Sequence, residues 1–266
     1  MMMSTRFRLA RAVRIVAAAS LIATAAGCTP KKDPALPAAN AQEPDTFLLE
    51  RGTQLLKARK WSQARQYFKR LVENYPQSPL RPQGKLGVGD SYLVENTSES
   101  KVLAVNEFRE FLTFFPSDPR ADYAQYKLAM SHFNQMLSAQ RDQTETREAV
   151  KEFQNFFDRF PNSRLRPEVE PFARQARDRL SDSSYEVGYF YFRVKNYAGA
   201  IDRFKEVLKD DPEYSRRDAL YFYMAEALMA TKHLAEALPY YDRIVNEFQK
   251  TQYLERAKRR IVELKR

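Results

Sequence analysis

Apolar side chains along residues 45–251 recur every three or four positions, and one arrangement of small, aromatic and proline residues returns five times. A glycine or alanine comes first, an alanine follows about one helix length later, an aromatic residue comes one helical turn after that, and a proline closes the unit. The five sets are Gly52, Ala64, Phe68 and Pro76; Gly89, Ala104, Phe108 and Pro116; Ala129, Ala149, Phe153 and Pro161; Gly188, Ala200, Phe204 and Pro212; and Ala225, Ala237 and Tyr241, with Gln249 where the fifth proline would fall. Apolar spacing of this kind is typical of amphipathic helices, so the pattern predicts five helix pairs.

The spacing is that of the tetratricopeptide repeat, a helix–turn–helix unit of roughly 34 residues. Small residues allow the paired helices to approach, the aromatic ring fills the space one turn later, and proline ends the second helix because it lacks an amide donor. The sequence therefore predicts an all-α fold, an α-solenoid of five tetratricopeptide-like helix pairs. Extra residues in repeats two and three fall in polar stretches, 96–100 and 138–145, which we expect to be loops.

The first helix of repeat four is expected to be unusual. More residues separate Pro161 from Gly188 than a plain connection needs, and the stretch from Arg174 to Val194 has helical character throughout. We therefore predict a long first helix in repeat four that protrudes from the solenoid. Pro171 would stand in its first turn, where proline is tolerated.

Residues 1–27 have the character of a secretion signal. Four arginines precede an apolar run, residues 15–26, and small residues then lead to Cys28. The run is shorter than the about 20 residues that a membrane-spanning helix needs, so we interpret it as a signal peptide that is removed. Residues 28–44 follow as a tether, because four prolines among them disfavour a helix and favour an extended chain.

Cys28, the single cysteine of the chain, resembles the modified residue of a bacterial lipobox. The resemblance implies a covalent diacylglycerol and an N-acyl chain on Cys28, which together would anchor the chain stably to a membrane. Ala25 stands where the lipobox usually has leucine, and the alternative is an ordinary secreted protein that is cut near Ala25 and carries a free thiol. Thr29, the residue after Cys28, resembles the sorting signal of outer-membrane lipoproteins. We therefore expect a lipid-anchored protein on the periplasmic face of the outer membrane, in contact with the inner leaflet of that membrane through its lipid.

Charge does not favour nucleic-acid binding. The formal net charge of +10 includes the four arginines of residues 1–27, so the mature chain carries about +6, spread among 34 acidic residues of the whole sequence. A nucleic-acid interface would need clustered basic residues, and an exported chain is not expected to meet nucleic acid. The most basic stretch, residues 252–266, is predicted to be a C-terminal helix.

Catalytic or metal chemistry is not indicated by the residues. His132 and His233 fall on separate repeats and lack the spacing of metal ligands. The glycine-rich stretch 84–89 lacks the flanking strand and the Gly-Lys-Ser/Thr ending of a phosphate-binding loop. We therefore predict a protein that is not an enzyme, with no metal site and no cofactor besides the lipid on Cys28.

The combination of lipobox, proline-rich tether, five repeats and a long helix in repeat four resembles the BamD family, lipoproteins of the outer-membrane β-barrel assembly machinery. The stretches that carry the resemblance are residues 61–64, 74–79, 111–119, 122–127, 159–163 and 178–191. It implies a non-catalytic scaffold that binds the barrel-forming assembly subunit through its periplasmic domains and binds the C-terminal strands of unfolded outer-membrane proteins. Accessory lipoproteins are further implied partners.

The first helix of each repeat is expected to line the concave face of the solenoid, with exposed apolar and aromatic residues on one side. The candidate groove for an aromatic-ended substrate peptide consists of Leu93, Tyr123, Tyr126, Lys127, Met130 and Phe133. Lys127 is expected to pair with the terminal carboxylate of that peptide. The same face carries Leu86 and Asp90 in repeat two and Phe222, Tyr223, Glu226 and Met229 in repeat five. The alternative is that residues such as Tyr126 belong to the core.

A second set of residues in repeat four is a candidate for contact with the partner subunit: Tyr185, Tyr189, Arg193 and Arg203. Arg203 matches, by resemblance, a family arginine that contacts the barrel-forming subunit, and the alternative is a solvent-facing helix arginine. An adaptor for peptidoglycan or polysaccharide-export machinery, using the same groove, is the alternative function. An enzyme with the repeats as a docking module is a weaker alternative, because the repeats occupy the chain from Asp45 onward.

Overall fold

The computed structural model describes residues 44–266, so the predicted signal peptide, Cys28 and most of the tether lie outside the described residues. The described part of the chain forms eleven α-helices and no strand. Their bounds are α1 Asp45–Lys57, α2 Trp61–Asn74, α3 Arg81–Glu95, α4 Ser98–Phe114, α5 Ala121–Phe133, α6 Thr144–Arg159, α7 Arg166–Arg193, α8 Tyr197–Asp210, α9 Arg217–Ala230, α10 Leu234–Glu247 and α11 Leu254–Leu264. Each helix packs against the next along the chain, which confirms the all-α solenoid of helix pairs.

The repeat motif acts through close contacts between glycines and aromatic rings. A Cβ added to Gly52 of α1 would lie 2.6 Å from the ring of Phe68, and one added to Gly87 of α3 would lie 2.7 Å from the same ring. The buried Phe68 ring is thus held between two glycines of neighbouring helices. A Cβ added to Gly188 of α7 would likewise lie 2.7 Å from the ring of Phe204. The small and aromatic positions of the motif are therefore paired as the sequence predicts.

The prolines mark the ends of the second helices, as expected. The second helices of repeats one to four end at Asn74, Phe114, Arg159 and Asp210, each two positions before the motif proline. The second helix of repeat five, α10, ends at Glu247 in the same place although Gln249 replaces the proline. Proline therefore reinforces a helix end that the packing already requires.

The two predicted loops have different bounds in the structure. Asn96 ends α3 with φ 59°, and Thr97 caps α4 by accepting a hydrogen bond from the Ser100 amide, so the predicted loop 96–100 is wrong beyond Thr97. Serine and threonine are common both in loops and at helix N-caps, and here Thr97 is the N-cap of α4. The loop of repeat three covers residues 134–143, because α6 begins at Thr144.

The long first helix of repeat four is present, but the prediction that it protrudes is wrong. Helix α7 begins at Arg166, earlier than expected, which places Pro171 inside the helix with its side chain exposed. Val169 and Ala176 are buried against repeat three. The first half of α7 therefore covers repeat three, and its second half forms the first helix of repeat four.

Helix α11 closes the C-terminal end of the solenoid. Ala257 is buried in the same cluster as the residues of α9 and α10, and Arg260 forms an ion pair of 2.8 Å with Glu226 of α9. The outer face of α11 is polar, as a terminal element of a solenoid requires. Within residues 44–266, no helix combines the length and apolar composition needed to cross a membrane.

Candidate functional site

A cavity of about 490 Å³ opens between the first helices of the three N-terminal repeats. Helices α1, α3 and α5 supply most of its walls, and the turns before α5 and α7 complete it. The lining residues are Leu49, Thr53, Leu56, Phe68, Gln83, Leu86, Gly87, Asp90, Arg120, Asp122, Tyr123 and Leu165. This N-terminal groove has the size of a ligand site and is mostly apolar with a few polar groups, which is the usual character of such sites.

The apolar part of the N-terminal groove follows from helix periodicity. Leu49, Thr53 and Leu56 of α1 are spaced so that they share one face, and Leu86 of α3 lines the same cavity. Gly87 carries no side chain, so the cavity reaches down to Phe68 beneath it. The glycine therefore lets the Phe68 ring pack closely against α3 at the floor of the groove.

The polar part of the N-terminal groove centres on Asp90 and Tyr123. Tyr123 Oη donates a hydrogen bond of 2.9 Å to Asp90 Oδ1. Burial raises the pKa of Asp90 to about 6, although the Tyr123 hydrogen bond and the charge of Lys127 both act to lower it. Burial and the neighbouring Asp90 carboxylate raise the pKa of Tyr123, so the phenol stays protonated and acts as a donor.

A second carboxylate, Asp122, lies at the start of α5. Its Oδ2 accepts a hydrogen bond of 2.6 Å from Ser163 Oγ, and its Oδ1 accepts one of 2.7 Å from the Tyr123 amide. Arg120 is the cationic side chain among the lining residues. It donates two hydrogen bonds of 2.8 Å to Asp118, so its charge is offset by that carboxylate. The Arg120 guanidinium correspondingly lowers the pKa of Asp118. Negative charge therefore dominates the polar part of the groove.

The predicted groove residues of α5 are mostly covered rather than exposed. Tyr123 lines the N-terminal groove, but Tyr126 is 4% exposed, and its Oη donates a hydrogen bond of 3.0 Å to Glu168 of α7. Phe133 packs edge-on against Phe172 of α7 at 5.5 Å between ring centroids. The expectation that Tyr126 is an exposed anchor is wrong, because the first half of α7 lies over this part of α5.

Three further predicted groove residues contact protein instead of the cavity. Leu93 is 8% exposed and belongs to the core of repeats two and three, and the half-buried Met130 packs against the same cluster. The ammonium of Lys127 lies over the rings of Tyr123 and Tyr126, at 5.1 and 4.9 Å from their centroids. Lys127 thus makes cation–π contacts and is not among the residues that line the cavity.

The N-terminal groove includes residues that were not predicted from the sequence, mainly those of α1. The predicted groove lay in repeats two and three, where aromatic residues are dense. Leu49, Thr53 and Leu56 form a single apolar stripe in the sequence of α1, and this spacing was the signal that could have identified them. Leu165 comes from the turn before α7 and had no sequence signal.

The predicted contact residues of repeat four divide between core and surface. Tyr185 is 3% exposed and stacks on the half-buried Tyr189 at 6.1 Å between centroids, so the expectation that Tyr185 is exposed is wrong. Arg193 and Arg203 are both exposed. Arg203 forms an ion pair of 2.8 Å with Glu206 of its own helix. The two arginines are therefore accessible to a partner, whereas Tyr185 is not.

An exposed apolar stripe on α7 was not predicted. Val187 and Phe190 share one face of its second half, Val194 follows as its C-cap, and the three residues are 43%, 58% and 55% exposed. The stripe borders a cavity of about 320 Å³ whose other wall is the loop of repeat three. Because repeat three covers only the first half of the long helix, this face of the second half has no helix packed against it in the described chain.

Each of the two histidines makes a side-chain contact through its Nδ1 atom. His132 is buried with Nδ1 2.8 Å from Glu145 Oε2, and the exposed His233 has Nδ1 2.9 Å from Thr231 Oγ1. Across the part of the chain that the structure describes, no group of three or more His, Cys, Asp or Glu side chains is arranged to hold a metal ion.

Comparison with known proteins gives one family and several relatives. Residues 41–233 match the family described as YfiO, outer membrane lipoprotein. A protein of Caulobacter vibrioides, named outer membrane protein assembly factor BamD, is 26% identical over 215 residues, which are 80% of this chain and 69% of that protein. A protein of the same name from Rickettsia prowazekii is 26% identical over 208 residues, or 78% of this chain and 80% of that protein. Among solved structures, a thermophilic TPR protein of Thermus thermophilus is 15% identical with a TM-score of 0.36, covering 82% of this chain and 100% of that chain.

Proposed function

The chain belongs to the YfiO family of outer membrane lipoproteins, and from this membership we propose that it is an outer membrane protein assembly factor. Its role would be that of a non-catalytic scaffold of the β-barrel assembly machinery. The observation that carries the proposal is the family match over residues 41–233, supported by relatives named as assembly factors over most of this chain. A tetratricopeptide solenoid suits such a role because stacked helix pairs present extended surfaces to other chains.

We further propose that different parts of the solenoid serve different partners. The N-terminal groove would bind segments of unfolded outer-membrane proteins, because it is a mostly apolar cavity that crosses three repeats. The C-terminal repeats would bind the periplasmic domains of the barrel-forming subunit. The exposed Arg193 and Arg203 and the apolar stripe of Val187, Phe190 and Val194 support this second site, since exposed apolar patches beside charges are typical of protein interfaces.

The anchoring of the chain is a proposal as well. Cys28 would carry a diacylglycerol and an N-acyl chain, which would hold the solenoid at the periplasmic face of the outer membrane. A Cys28→Ser change should abolish acylation and block cleavage at this site, and the protein should no longer sediment with outer membranes. A variant that is still cleaved and still sediments with outer membranes would show that Cys28 is not the lipidation site.

Recovery of the full-length lipoprotein from detergent-solubilised membranes, followed by identification of the co-purifying proteins, tests the main proposal. We expect the barrel-forming subunit and accessory lipoproteins to be recovered. The absence of a barrel-forming subunit would overturn the proposal, and recovery of peptidoglycan or polysaccharide-export proteins in its place would favour the adaptor function. Arg203→Ala should reduce recovery of the barrel-forming subunit, while Lys209→Ala, an exposed change on the same helix, serves as the control.

A further inference from the structure

We propose that the N-terminal groove selects a peptide segment in which an apolar or aromatic side chain stands beside a lysine or arginine, and that it disfavours a terminal carboxylate. The inference rests on the proposed function, in which this groove takes segments of unfolded outer-membrane proteins. It differs from the sequence expectation that Lys127 captures the carboxylate at the end of the peptide.

The apolar half of the preference follows from the walls of the groove. Leu49 and Leu56 of α1 and Leu86 of α3 surround a space that extends down to Phe68. A side chain of aromatic size that enters this space would remove its own surface and that of the walls from water, which is favourable in proportion to the area buried. The backbone of the segment would continue along the open face between the helices.

The cationic half follows from the charges in the lining. Asp90 and Asp122 accept their hydrogen bonds from a phenol, a serine hydroxyl and a backbone amide, none of which carries a positive charge. A cation placed beside a half-buried carboxylate stabilises it when its hydrogen bonds come only from neutral donors. The stabilisation is larger where water is excluded. A lysine or arginine next to the anchored apolar residue would supply that charge.

A carboxylate, by contrast, would find no uncompensated positive charge in the lining. Arg120 is occupied by two hydrogen bonds to Asp118. Lys127 lies over the rings of Tyr123 and Tyr126, outside the lining residues, and offsets part of the Asp90 charge from that position. A peptide carboxylate placed near Asp90 would therefore meet like charge, which is an effective means of rejecting a ligand.

The preference should depend on pH in a defined direction. The titratable groups that act on Asp90 are Tyr123 and Lys127 of α5. Asp122 and Arg120, at the start of that helix, line the same groove, whereas α1 contributes the uncharged Leu49, Thr53 and Leu56. Because burial raises the pKa of Asp90 to about 6, its carboxylate is protonated below that pH and ionised above it. Binding of a cationic segment should therefore strengthen as the pH rises from about 5 to about 7.

The test uses the full-length lipoprotein in detergent micelles and three acetylated, amidated peptides that share one phenylalanine. The residue after phenylalanine is lysine, glutamine or glutamate, and binding is measured by fluorescence anisotropy at low salt. We expect the lysine peptide to bind about tenfold more tightly than the glutamate peptide at pH 7, with the glutamine peptide between them. Replacing the C-terminal amide by a free carboxylate should weaken binding.

Two variants assign the preference to the groove. Asp90→Asn keeps the shape of the side chain and should remove most of the advantage of the lysine peptide and its pH dependence, with little effect on the glutamine peptide. Gln83→Lys adds a cation at an exposed lining position and should reduce the discrimination against glutamate. Asp202→Asn, on the exposed face of α8, is the matched control and should change nothing.

The outcomes separate this inference from the proposed function. Equal or tighter binding of the glutamate peptide, or an Asp90→Asn variant with unchanged discrimination, would overturn the inference even if unfolded outer-membrane proteins still bind the chain. Absence of binding by all three peptides and by an unfolded outer-membrane protein would overturn both. A lysine preference that Asp90→Asn abolishes, in a chain that recovers no barrel-forming subunit from membranes, would support the inference and reject the proposed function.

Discussion

Helices α3 and α9 are the first helices of repeats two and five and occupy equivalent places in the solenoid, yet one borders an open groove and the other is sealed. Helix α3 presents Leu86, Gly87 and Asp90 to the cavity. Helix α9 buries residues on almost every face, and its Phe222 stacks on Tyr253 at 4.7 Å between centroids, beneath the guanidinium of Arg256. Both helices carry a small motif residue, Gly89 in α3 and Ala225 in α9, so positions outside the motif decide whether this face of the helix is open.

The difference arises from side-chain volume and from helix α11, which packs on the last repeat. In repeats four and five, aromatic rings pack together in one core: the ring centroids of Tyr189 and Tyr223 are 4.8 Å apart, and those of Tyr185 and Phe204 are 5.7 Å apart. Helix α11 then covers the C-terminal end. In repeats one and two the corresponding space is bordered by leucines and a glycine, which leave it unfilled. Substitutions in the sealed and the open region test the comparison.

The largest effect is expected from Phe222→Ala in the sealed region. Removing a fully buried ring that contacts Tyr241 and Tyr253 should lower the free energy of unfolding by about 3–5 kcal/mol. Leu56→Ala, at the half-exposed wall of the groove, should cost less than about 1.5 kcal/mol because no closed cavity is created. Urea unfolding followed by circular dichroism measures both, and similar losses for the two variants would contradict the comparison.

Gly87→Val should close the open region at a moderate cost in stability. The added Cβ would lie 2.7 Å from the Phe68 ring, and that ring is confined by Gly52 on another side, so overpacking should cost about 2 kcal/mol. The same change should abolish binding of the phenylalanine peptides. In the control Gly199→Ala, the added Cβ meets only the Asn196 side chain, and stability should change by less than about 1 kcal/mol. Full peptide binding by the Gly87 variant would place the peptide elsewhere.

Asp90→Asn should change the pH dependence of stability. The folded state holds the Asp90 proton up to about pH 6, while the unfolded chain releases it near the ordinary value of 3.8. The folded state therefore binds more protons between these values, and the free energy of unfolding of the parent protein should fall as the pH rises through this window. The variant lacks that fall, so it should be about 1–2 kcal/mol more stable at pH 7, after allowance for partial solvent screening, and equally stable near pH 3. Thermal unfolding at both pH values measures the difference, and equal shifts at both would argue against a perturbed Asp90.

Arg203→Ala should have the smallest effect on folding. The exposed Arg203 makes an i,i+3 ion pair with Glu206, and such pairs contribute within about 0.5 kcal/mol. We expect an unchanged thermal midpoint, in contrast to Tyr185→Ala on the neighbouring helix, which should unfold well below the parent. A marked loss of stability in the Arg203 variant would mean that this part of α8 is not free for a partner.

The sequence by itself determined the helix pairs and their stacking. The motif residues act between neighbouring helices, as Gly52, Phe68 and Gly87 demonstrate, so their spacing is sufficient to predict the contacts. The ends of the second helices were likewise predictable from the prolines. Local pattern is enough where the contact partners are adjacent along the chain.

Only the tertiary structure decided which aromatic residues are covered. Tyr123 and Tyr126 are three positions apart on α5, yet Tyr123 borders the groove and Tyr126 is sealed by Glu168 and Phe172 of α7. Their difference depends on where the first half of α7 lies, and the same placement leaves Val187, Phe190 and Val194 exposed on its second half. Periodicity identifies the apolar faces of a helix, but exposure depends on the length and path of the helix that packs over them, and those are properties of the assembled solenoid.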